Sequence, residues 1–133
     1  MSLPSISNQV AHALKAVTWS AEEISAYQQA TGVSSVKKSL RPGGDPTRAL
    51  PVILGIGTGT TYFQSATCFF HRAEQLSGKG SLADLLAPEI IRKTLDAHYQ
   101  AQAPGSLAKL LAAIQKVYAG CRKLGVTPHV ARE

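Results

Sequence analysis

The sequence predicts an all-α protein. Three observations carry that expectation. Apolar residues recur at three-and-four spacing over two long stretches, Tyr62 to Leu76 and Leu107 to Leu124, the period that gathers side chains on one side of a helix. Ser, Thr, Pro and Gly punctuate these stretches where helices start and stop. The single run with strand character, Pro51-Val-Ile-Leu-Gly-Ile, is too short for a sheet.

Taken in order, the first helix is expected over residues 7–17, with Ser5 or Ser7 as cap and Val10, Ala13, Leu14 and Val17 facing inward. Ser20-Ala-Glu-Glu has the serine and early acids of a second start, and that helix runs through Ile24 and Tyr27 to a stop near Gly32. Arg41-Pro-Gly-Gly-Asp-Pro-Thr-Arg reads as a loop, which places a boundary near residue 50. Thr58 is the expected cap of a helix to about Ser77, whose stripe of Tyr62, Phe63, Ala66, Phe69, Phe70, Ala73 and Leu76 anchors the core. Gly78-Lys-Gly ends it, Ser81 to Leu86 makes a short turn or helix, and Pro88 opens another helix to about Ala101, with Ile90, Ile91, Leu95 and Tyr99 turned inward. The last helix, capped by Ser106, should bury Leu107, Leu110, Leu111, Ile114, Val117, Tyr118, Cys121 and Leu124. Lys109, Lys116 and Lys123, each seven residues from the next, should line its opposite, solvent side.

Composition narrows the class. At 133 residues, with 44% hydrophobic and 17% charged, the chain suits one compact domain and neither disorder nor a membrane span, which needs an apolar run of ~18–20 residues. Fourteen Lys and Arg against eight Asp and Glu give +6, a balance that favours nucleic acid or another polyanion. Half of these cations fall in residues 81–133, and Lys37, Lys38, Arg41 and Arg48 cluster on the loop-like segment before the boundary. The amino terminus lacks the basic start and apolar segment of a secretory signal, so a cytoplasmic, DNA-associated location of the bacterial type is expected, without membrane contact.

Few residues are arranged for catalysis. Cys68 and Cys121 read as core thiols, and His12, His71, His98 and His129 lack ligand spacing, so neither metal nor cofactor is expected. Asp84, Glu89 and Asp96 suit helix starts and exposed faces. Ser106 and Lys109 form a Ser-x-x-Lys pair, but its companion motifs are missing and a capping serine explains it better. Gly55-Ile-Gly-Thr-Gly-Thr-Thr precedes a helix as phosphate loops do, yet it lacks the Walker lysine and the Gly-x-Gly-x-x-Gly spacing. It reads instead as a joint ending in a threonine cap, offering amides and hydroxyls to a phosphate. Trp19 and the tyrosines have the rings to stack on bases, but Tyr62, Tyr99 and Tyr118 lie on apolar stripes and are read as core residues.

Three blocks together resemble a known family. They are Thr58-x-x-x-Tyr62 followed by Phe69, then Leu86-Ala-Pro-Glu-Ile-Ile-Arg-Lys-Thr-Leu95, then Ser106 to Tyr118 with Leu111-Ala-Ala-Ile-Gln-Lys-Val-Tyr118 at its end. In order and spacing they are similar to the amino-terminal SAM-like, or core-binding, domain of tyrosine recombinases of the phage integrase family. The resemblance covers residues 55–125 and implies a small orthogonal helical bundle, preceded by an additional helical segment and basic loop over 1–50 and followed by a tail or linker over 126–133. It implies double-stranded DNA as partner, with other recombinase protomers assembled on it. The first and last helices of the domain would meet the duplex, which points to Thr58, Thr60 and Thr61 on one and Ser106, Lys109, Lys116 and Lys123 on the other. The family's catalytic residues belong to a second domain, so these residues bind without cleaving; the chain is expected to be either a fragment of an integrase or a free-standing relative. The competing expectation is a helical interaction or oligomerisation module without DNA binding, built on the extra amino-terminal helices.

Overall fold

A computed structural model describes residues 4–41, 43, 50 and 52–125. Its elements are α1 (Ile6–Ala16), β1 (Thr18–Trp19), α2 (Ala21–Thr31), α3 (Val36–Leu40), β2 (Ile53–Leu54), α4 (Ile56–Ser77), α5 (Leu82–Leu85), α6 (Pro88–His98) and α7 (Pro104–Lys123). The protein is an all-α bundle, and its one sheet among the described residues is a two-residue parallel pairing of Thr18 with Ile53 and Trp19 with Leu54. No described helix is long and apolar enough to cross a membrane.

Local chemistry fixes most helix ends. The Ser5 hydroxyl accepts the Asn8 amide at 3.2 Å and starts α1. Ser20 and Glu23 form a reciprocal capping box on α2, and Gly32 at φ 73° ends it in the left-handed conformation that costs glycine nothing. Two starts differ from expectation. α4 opens at Gly55, two residues before Gly57 and three before Thr58, so Thr58 lies within the first turn and caps nothing. α7 opens at Ala103 with Pro104 as its first helical residue, and Ser106 likewise sits inside the helix.

The core joins α1, α4 and α7. Ile6, Val10, Ala13, Leu14 and Val17 pack with Ala66, Phe69, Phe70 and Ala73 and with Leu110, Ala113, Ile114, Val117 and Cys121. The first helix is therefore built into the bundle, while α2 buries no residue at all. Phe69 meets Phe70 edge-on at 5.2 Å and Tyr99 at 5.7 Å. Gln9 ties α1 to the turn before α5, its amide donating to Gly80 O at 2.8 Å and its carbonyl accepting from Leu82 N at 2.9 Å.

α7 is rotated from the expected orientation. Leu111, Tyr118 and Leu124 are exposed, and so is Leu76 on α4. The buried arc of α7 instead centres on Ala113, Val117, Gly120 and Cys121. The small residues decide this, because a Cβ on Gly120 would run into the backbone carbonyl of Ala13. Close approach of α1 turns the large residues on the other flank of α7 outward.

Candidate nucleic-acid interface

That rotation moves the lysines. Lys109 and Lys123 remain exposed, but Lys116 is only 2% exposed, and the expected solvent-facing row is broken at its middle member. Residues three before and four after Lys116 are Ala113 and Gly120, both on the α1-facing arc, so Lys116 lies at the edge of the packed face and not opposite it. Its ammonium sits 5.4 Å from the centre of the Tyr62 ring, and no described carboxylate pairs with it. Burial holds its pKa below the ordinary value.

The contact between Tyr62 and Lys116 also sets the direction of the two long helices. Tyr62 near the start of α4 meets Lys116 in the second half of α7, and Ser65, Cys68 and Arg72 further along α4 meet Ser106, Leu107, Lys109 and Leu110 at the start of α7. α4 and α7 are thus antiparallel, and the openings of the two helices lie at opposite ends of their seam. Thr58, Tyr62, Ser65 and Arg72 recur at helical spacing along the α4 side of it.

Each end of the seam opens into a cleft. At the α4 start, Thr58 and Tyr62 line one with Lys37, Arg41, Leu50, Val52 and Leu54, about 190 Å³ in volume. At the α7 start, Ser65, Cys68 and Arg72 line another with Tyr99, Gln102, Ser106, Leu107, Lys109 and Leu110, about 290 Å³. Among the described residues neither cleft is lined by a carboxylate. The Arg72 guanidinium lies over the Tyr99 ring at 5.1 Å. Burial raises the Tyr99 hydroxyl above its usual pKa, against the opposing pull of Arg72.

The seven expected site residues therefore fall in different places. Ser106 and Lys109 share the second cleft, Thr58 lines the first, and Lys116 lies beneath Tyr62. Thr60 faces away, in an apolar groove with Ala11, Leu14, Lys15 and Phe63. The Thr61 hydroxyl donates to Gly57 O at 3.2 Å on the exposed side of α4, and Lys123 is exposed in the last turn of α7. Arg72 was not legible as a site residue, since its surroundings come from α7 and the turn before it. Two residues read as core thiol and core tyrosine, Cys68 and Tyr118, are exposed. No cluster of His, Cys, Asp or Glu suited to a metal occurs among the described residues. Compared with family models, curated proteins and solved structures, the chain finds no match in any of the three.

Proposed function

We propose that the chain binds double-stranded DNA along the α4–α7 seam, as the non-catalytic core-binding domain of a site-specific tyrosine recombinase. One observation carries the reading: cations stand at both ends of the seam, Lys37 in the cleft at one end and Arg72 with Lys109 in the cleft at the other. From Thr58 to Arg72 the α4 side extends about 21 Å, the length of about six base pairs, so one strand's phosphates pass both clefts. The hydroxyls of Thr58, Ser65 and Ser106 add donors suited to phosphate oxygens. The helices involved are also the two that the family resemblance puts against DNA.

Titrating a fluorescent duplex tests the proposal. Binding at low salt that weakens in Lys109→Ala and Lys37→Ala supports it, and no binding at low salt overturns it.

A second reading, a helical interaction module, draws on a different face. Leu86, Ile91, Leu95, Ile114 and Tyr118 line an apolar groove between α6 and α7. Light scattering separates the two: a monomer that binds duplex supports the first, and a stable oligomer indifferent to DNA supports the second.

A further inference from the structure

We infer that the cleft between α4 and the start of α7 is a binding site for one tetrahedral oxyanion of the phosphate class, and that its occupant shields the thiol of Cys68. Four kinds of donor converge there. Arg72 and Lys109 bring two cations into one cleft with no described carboxylate between them, an arrangement that an anion relieves. Arg72, its guanidinium carbon 5.1 Å from the centre of the Tyr99 ring and its charge acting on the Tyr99 hydroxyl, is held at the cleft wall with further N–H groups than that one partner uses. Ser65 and Ser106 contribute hydroxyls. The first turn of α7 has no side-chain cap and begins with Pro104, which carries no N–H; Ser106, whose amide follows that start, is the residue of the turn that brings an unbonded amide to the cleft lining. The volume of about 290 Å³ holds a phosphate together with the ester group that carries it. Only the choice of a duplex as source of that phosphate rests on the DNA-binding reading; the oxyanion site does not.

Cys68 makes occupancy measurable. It is exposed on the cleft wall, whereas Cys121 is buried and its thiol is pushed up to about 11, so iodoacetamide reports on Cys68 alone. In the alkylation the Cys68 sulfur attacks the methylene carbon, a C–S bond forms, iodide leaves and the thiol proton passes to buffer. The rate is followed by intact mass on the full chain, in inorganic phosphate, in chloride of equal ionic strength, and with a DNA duplex. Phosphate is expected to slow alkylation in proportion to occupancy, about tenfold when it stands about tenfold above its Kd. Lys109→Gln, at an exposed position, should require several-fold more phosphate for the same protection. Equal rates in phosphate and chloride, equal protection in the variant, or protection by duplex without protection by phosphate each overturn the site. Duplex binding with no protection from either anion overturns it while sparing the DNA reading. Protection by phosphate in a chain that binds no duplex upholds the site and removes the DNA reading.

Discussion

Two side chains are held at a cost. The hydroxyl of Thr67 is buried with no hydrogen-bond partner, so it has lost water and gained nothing in exchange. Thr67→Val keeps the shape and removes the polar atom, and is expected to stabilise the protein by about 1 kcal/mol, measured by denaturant unfolding followed at Trp19. Lys116 is the second. Its folded pKa is lowered by burial, so between that value and the ordinary 10.5 the unfolded chain holds the proton more readily. Stability therefore carries the full penalty below the folded pKa, recovers as pH rises through it, and is free of it above 10.5. Lys116→Met is expected to be the more stable protein by about 1 kcal/mol at neutral pH, the cost of burying an ammonium outweighing the ~2 kcal/mol its ring contact returns. That advantage should shrink toward pH 10.5. A variant less stable than wild type at every pH would mean that the contact with Tyr62 is the larger effect.

At the scale of elements, the crossing of α1 and α7 is the tightest feature. Gly120 is required there by space, since a methyl group meets the Ala13 carbonyl, which is backbone and cannot swing aside. Gly120→Ala should cost about 3 kcal/mol despite alanine's better helix propensity, because the helices must separate to admit it. Gly59→Ala on α4 is the matched control, its Cβ at an ordinary 3.6 Å from Ile53. If both substitutions behave alike in thermal unfolding, close approach of α1 is not what orients α7. The same orientation governs the proposed interface, because it puts Lys116 under Tyr62 and leaves the exposed Lys109 lining its cleft.

For the whole molecule, the net charge of +6 is less telling than its distribution. If three cations of the seam, Lys37, Arg72 and Lys109, each neutralise a phosphate, the slope of log affinity against log salt is about −2.7, and affinity falls about 40-fold between ~50 and ~200 mM salt. Lys109→Ala should flatten that slope by about one, and Lys116→Met should leave it unchanged, because a buried ammonium releases no counterion. The expected lysine row gives the opposite outcome for Lys116, so duplex titrations over a salt series distinguish the two arrangements.

Much of the fold was legible from local rules. The capping box at Ser20, the glycine stops at Gly32 and Gly78, the proline start at Pro88 and the stripe of Ala66, Phe69, Phe70 and Ala73 all act within a turn or two of chain, so sequence by itself determined the longer helices and the all-α class, but not the short α3, whose Lys37 and Lys38 read as part of a loop-like segment. The candidate site was only partly legible. Ser106 and Lys109 were visible on one helix, but Arg72 and Cys68 join them from another, and no spacing in the chain announces that meeting. Which flank of α7 faces the core was decided by tertiary structure. Periodicity weighs large apolar residues, and so it favoured Leu111 and Tyr118; packing follows shape as well, and the small Ala113 and Gly120 admitted α1. Through that one rotation the tertiary structure buried Lys116 and divided an apparent row of lysines into a covered cation and two exposed ones.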